Sequence, residues 1–142
     1  VRSTILSRTI LGKKRFLASF DAFFEQGLLV VAEDGSKAVH ETFDPTDGPV
    51  HHDGDSLYVV VQSAVDGPVT VVVFDAKAPR SLVDDLSLVF DGRFEGGIGR
   101  IVLEATDDSL RVVVAAEEDD SPRVRVYLDD LRWATVVVVV LS

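Results

Sequence analysis

Short apolar runs alternate with turn-forming residues along most of the chain. Val59-Val60-Val61, Val71-Val72-Val73, Val112-Val113-Val114 and the five valines from Val136 to Val140 are each bounded by Asp, Gly, Ser or Pro. A branched β-carbon is stiff in a helix and comfortable on a pleated surface, so runs of this length predict strands. The segment 3–11, mixed in character and ending at Gly12-Lys13-Lys14, reads as an edge strand. Residues 16–24 carry two patterns at once. Phe16, Leu17, Phe20, Phe23 and Phe24 fit a helical stripe with Gly27 at its C-cap, whereas Phe16, Ala18, Phe20, Ala22 and Phe24 form an unbroken period-two face. Strand is the better fit, because aromatic residues suit a sheet and the neighbouring segments are β.

Further strands are expected at 28–32 and 38–43, separated by the turn Glu33-Asp34-Gly35-Ser36. Residues 44–56, rich in Pro, Gly and Asp, then read as the longest loop. Asp66-Gly67 predicts a hairpin of 57–63 with 69–75, both strands central because they are apolar on both faces. A helical turn is predicted at 79–85, with Pro79 at its start, and a strand at 86–90. From residue 98 the pattern is a meander of four antiparallel strands, 98–105, 110–116, 123–128 and 132–141. In the third, Val124, Val126 and Leu128 face the core, and Arg123, Arg125 and Tyr127 face away. About nine or ten strands with such regular turns predict an all-β protein, possible helix confined to one short segment, built as an antiparallel two-sheet β-sandwich; a β-barrel is the alternative.

The 142 residues suit one domain spanning 1–142, and 46% hydrophobic content with 27% charged is too apolar for a disordered chain. The absence of cysteine excludes a disulfide framework, a thiolate nucleophile and thiolate-bound zinc. No signal-peptide pattern and no spanning apolar run is present, so a cytoplasmic location is expected. The net charge is −10, but five basic residues and no acidic one precede Phe16, leaving −15 on the remainder. A surface of that sign disfavours nucleic acid and anionic membrane as partners and favours a basic protein.

Candidate chemistry is sparse. His51, His52, Asp53 and Asp55 are the candidate metal ligands, grouped with Asp44, Asp47 and the upstream His40; their spacing matches neither the zinc helix His-Glu-x-x-His nor a calcium EF-hand loop. If the segment is extended, His51 and His52 point to opposite sides. Gly96-Gly97-Ile98-Gly99-Arg100 lacks the third glycine of a dinucleotide fingerprint and a Walker lysine, so no cofactor is expected. The Asp-Asp pairs fall at turns rather than across a cleft, and no serine sits in a nucleophile elbow, which favours a non-catalytic protein. Arg123, Arg125, Tyr127 and Trp133 are candidates for a face that binds an anion or sugar. Glu117, Glu118, Asp119 and Asp120, with Asp107 and Asp108, are the candidate protein-binding patch. A valine-rich sheet edge also leaves a homo-oligomer open.

Gly67-Pro68-Val69-Thr70-Val71, Ala78-Pro79, Leu86-Ser87-Leu88 and Arg123-Val124-Arg125-Val126-Tyr127 together resemble a group of small bacterial β proteins related to the competence protein J family, whose members include an inhibitor of the DNA-entry nuclease. The resemblance covers about half of the chain, from Val65 onward, and assigns no functional residue. It implies a non-catalytic, inhibitor or immunity-like role, with a small-ligand or metal-binding module using residues 44–55, or an oligomeric structural protein, as the competing expectations.

Overall fold

The computed structural model describes residues 16–75, 80–94, 100–115 and 123–142. Among these residues ten strands form two five-stranded sheets. They are β1 (Phe16–Ala22), β2 (Leu28–Glu33), β3 (Val50–Asp53), β4 (Ser56–Val60), β5 (Val69–Asp75), β6 (Ser87–Arg93), β7 (Arg100–Ala105), β8 (Arg111–Ala115), β9 (Arg123–Leu128) and β10 (Val136–Leu141), with one helical turn, α1 (Arg80–Val83), between β5 and β6. The first sheet runs β1-β5-β10-β9-β6 and the second β3-β4-β2-β7-β8. The two sheets pack as a sandwich rather than closing into a barrel. Among the described residues no helix is long and apolar enough to cross a membrane.

The core lies where the period-two pattern places it. Val124, Val126 and Leu128 of β9 are fully buried with Val137, Val139 and Leu141 of β10, Val69, Val71 and Val73 of β5, and Leu29, Val31, Leu57, Val59, Ile101 and Leu103 of the facing sheet. Each is one face of its strand, and removing it from water supplies the main drive for the two sheets to meet. The valine run of β10 is buried on both faces because the outer side of its sheet has a smaller core of its own. Phe74, Val138 and Val140 pack there against Leu82, Val83 and Leu86 in and after α1. The expectation of strand for 16–24 holds over Phe16–Ala22, and Phe24 follows as a fully buried side chain.

Several connections differ from the sequence reading, and for β4, β5 and the strands after residue 98 the reason is that a local pattern fixes a strand but not the sheet it joins. Strands β4 and β5 do not form a hairpin. β4 pairs with β2 and β3, while β5 crosses to the other sheet, antiparallel to β1 and parallel to β10. The first sheet is therefore mixed, not wholly antiparallel. The expected four-strand meander is two hairpins, β7 with β8 and β9 with β10, in different sheets. Residues 38–43 are not a strand, and the expected long loop contains β3, joined to β4 by the two-residue turn Gly54-Asp55, with Gly54 at φ 60°. Glycine at the first central position suits a tight hairpin turn, so the signal was present but the strand is short and polar. β10 starts at Val136, not at 132. The expected strand at 3–11 lies outside the described residues.

Gly27 illustrates a turn that demands glycine. It closes the crossing from β1 to β2 at φ +66°, its N–H donates to the Phe24 carbonyl at 3.0 Å, and its carbonyl accepts from Val61 N–H at 2.9 Å. A Cβ there would meet the Val61 carbonyl oxygen at 3.1 Å. Gly27→Ala is expected to destabilise the protein by about 1–2 kcal/mol, since the left-handed conformation penalises any Cβ; urea unfolding would check it, and an unchanged midpoint would show that the turn accommodates a side chain.

Candidate functional site

Three regions hold the residues nominated from the sequence. The first is a strap, residues 36–44, that leaves the end of β2 and crosses the outer face of the second sheet. Ser36 Oγ donates to Asp55 Oδ1 at 2.5 Å, and the His40 N–H donates to Asp53 Oδ2 at 3.0 Å. His40 is buried, stacks on Tyr58 with ring centroids 3.7 Å apart, and places its Nε2 2.9 Å from Ser56 Oγ and its Nδ1 2.8 Å from His51 Nδ1. His51 Nε2 lies 3.1 Å from Thr42 Oγ1. Phe43 meets Tyr58 edge-on at 5.1 Å. Burial away from water, followed by the neighbouring His51, pushes the His40 pKa below its ordinary value, and Asp53 opposes that only in part. The cluster is a fully partnered polar network that ties the strap to the sheet.

The four nominated metal ligands are divided by this arrangement. His51 stands opposite Tyr58 and His52 opposite Leu57, so the two histidines take opposite faces of β3. His52 turns to the sandwich edge against Phe90 and Phe94, at 5.0 and 5.9 Å, with its Nε2 2.8 Å from the Gly54 carbonyl. Asp53 and Asp55 are engaged by the strap. Among the described residues no three His, Asp or Glu groups are placed to hold a metal ion.

The second region is the outer face of the first sheet, where Arg123, Arg125 and Tyr127 do share a side. Arg123 is already taken: its Nε and a terminal nitrogen both reach Asp91 carboxylate oxygens at 2.6 Å. This bidentate pair, chiefly through its hydrogen bonds, holds the Asp91 carboxyl below the usual carboxylate range and raises Arg123. Trp133 is not part of that face.

Trp133 belongs to the third region, the loop between β9 and β10. Asp130 Oδ1 accepts from the N–H groups of Arg132 and Trp133, both at 2.8 Å. Asp129 accepts from Thr135 N–H at 2.8 Å, Thr135 Oγ1 at 2.5 Å and Val136 N–H at 3.0 Å. Asp-Asp at the end of a strand is a sequence signal for such side-chain capping of a loop, and it was legible as a turn but not as a clamp. The clamp leaves Leu131 and Trp133 52% and 62% exposed. They form one wall of a cleft of about 570 Å³ whose other wall is Pro45, Pro49 and Val60, with Arg132 also lining it. The cleft opens at the end of the sandwich where β2 starts and β4 ends, since Leu28 pairs with Val60, and the turn holding Asp107 and Asp108 is at the same end because Ala105 pairs with Leu29. Glu117 to Asp120, the rest of the nominated protein-binding patch, lie outside the described residues.

Two stacked sheets with their distinctive side chains on loops and a strap define a β-sandwich of ten described strands, its outer faces packed by short segments. No protein-family model matches the chain, and no curated protein matches it. Among solved structures the chain is similar to the crystal structure of ComJ, inhibitor of the DNA degrading activity of NucA, from Bacillus subtilis, with a TM-score of 0.62 at 6% identity, over 92% of this chain and 98% of that one. At that identity the likeness is one of fold: the two chains share the sandwich across nearly their whole lengths.

Proposed function

We propose that this chain is a non-catalytic protein-binding module of the inhibitor type, acting on a basic partner protein. The observation that carries the reading is the match of fold to ComJ, an inhibitor of a DNA-degrading protein, over 92% of the chain. The net charge of −10 adds to it, because a protein that degrades DNA presents a cationic surface to phosphates and an acidic protein can occupy that surface in their place. An inhibitor of this kind needs a shaped, charged exterior and no reacting group, which fits the partnered state of His40, Ser56 and His51. The test is plasmid digestion by a DNA-degrading nuclease of the same cell, with the chain added in increasing amounts at low and high ionic strength. Inhibition that grows with the amount added and weakens roughly tenfold or more at high salt is expected, as for complexes between oppositely charged proteins. Digestion untouched by an excess of the chain would sink the proposal.

A further inference from the structure

We infer that the end of the sandwich bearing Trp133 is the docking surface, and that it takes a basic segment of the partner in which an apolar side chain lies between lysines or arginines. This rests on the protein-binding reading above and names its surface. Three observations support it. The first is an apolar centre: Leu131 and Trp133 stand exposed beside Pro45, Pro49 and Val60 around a cleft large enough for one or two side chains. Tryptophan in such a setting is the side chain most often found to anchor a protein interface.

The second is preorganisation. Five hydrogen bonds to the carboxylates of Asp129 and Asp130 fix the backbone that carries Trp133, so little freedom remains to be lost when a partner covers the indole. The third is charge. Asp44 and Asp47 flank the cleft on the strand β3 side, Asp66 lies in the turn before β5, and Asp107, Asp108 and Asp130 occupy the neighbouring turns. Thr46, Ser109 and the 130–133 turn donate hydrogen bonds that hold the carboxyls of Asp44, Asp107 and Asp130 below the usual range, so these three stay ionised well into acid. These six carboxylates outnumber the arginines Arg132, which lines the cleft, and Arg111, which begins β8 at the same end. The apolar cleft thus lies among carboxylates at this end of the sandwich. An apolar centre with an acidic rim is complementary to a basic segment with an apolar side chain, and Trp133 adds a ring face on which a cation can rest.

Trp133 is the sole tryptophan, so its emission reports on this surface alone. The probe is a synthetic peptide of alternating lysine and leucine, with a glutamate-leucine peptide as its counterpart. The lysine peptide is expected to shift Trp133 emission to the blue, salt-sensitively, and the glutamate peptide to leave it unchanged. Leu131→Lys should weaken the lysine peptide about thirtyfold, the effect of losing an interface anchor, whereas Leu88→Lys, an exposed leucine on β6, should not. Both sites are exposed, and thermal unfolding of each variant verifies that it is folded. Equal binding by Leu131→Lys and the parent, or binding seen by calorimetry without a change in Trp133 emission, would overturn the inference. So would self-association that Leu131→Lys abolishes, which would make the patch an interface between copies. The two proposals fail separately. Nuclease inhibition that survives in Leu131→Lys removes this surface but not the function, and peptide binding here without nuclease inhibition removes the function but not the surface.

Discussion

Phe24→Ala is expected to lower stability by about 3–5 kcal/mol, the usual cost of emptying a buried phenylalanine site. Its ring has no exposed surface and belongs to the cluster between the sheets. It also sits at a structural junction: its carbonyl accepts from Gly27 N–H at 3.0 Å and from Ala64 N–H at 2.9 Å, tying the crossing from β1 to β2 to the crossing from β4 to β5. Two sheets linked by such crossings cannot close over the cavity without moving both connections, so relaxation should recover little. Against a total stability on the order of 5–15 kcal/mol, the loss should lower the melting temperature by roughly 10–20 °C. A drop equivalent to less than about 1 kcal/mol, the range of a surface substitution, would mean that the ring is not packed between the sheets.

His40→Ala is expected to cost about 2–4 kcal/mol, from a buried Ser56 hydroxyl deprived of its partner and from the lost stack on Tyr58. The residue is also the source of an acid sensitivity with a definite sign. The folded state lowers its pKa from 6.5, so the unfolded chain binds the proton more tightly and protonation favours unfolding. The contribution of neutral His40 is complete above about pH 6.5, and declines as the pH falls from there through the lowered value in the folded protein. The charged and titratable groups around it are His51, His52 and Asp53, and only Asp53 favours the cation. Urea midpoints measured between about pH 5 and 8 should fall with acid in the parent and fall less steeply in His40→Gln. Parallel pH profiles for the two proteins would remove the argument.

The architecture could be read from residues because valine runs are nearly unambiguous: β5, β8, β9 and β10 lie where branched side chains alternate or cluster. What escaped was pairing. Asp66-Gly67 does make a turn, with Gly67 at φ +135°, yet the strand that follows is captured by β1 and β10, partners far away along the chain that no local pattern encodes. β3 escaped because Val50-His51-His52-Asp53 has only one strongly apolar member, its stability coming from pairing with β4 and from the strap over Tyr58. The histidine grouping was visible, but whether neighbours on a strand share a face depends on extension, and extension sent His51 and His52 apart. Trp133 was grouped with Arg123, Arg125 and Tyr127 but stands apart from their face, since its position is set by aspartate side chains rather than by strand periodicity.

The parallel pairing of β5 with β10 has a consequence for how the protein comes into being. β10 is the last of the described strands to leave the ribosome, yet it occupies the middle of its sheet, between β5 and β9. Until it emerges, the nascent chain holds β1 and β5 with one long side of β5 unoccupied, an open edge that invites strands from other molecules. Completion of the sheet must therefore follow synthesis of residue 141, and the wait is a window in which a chaperone has something to hold.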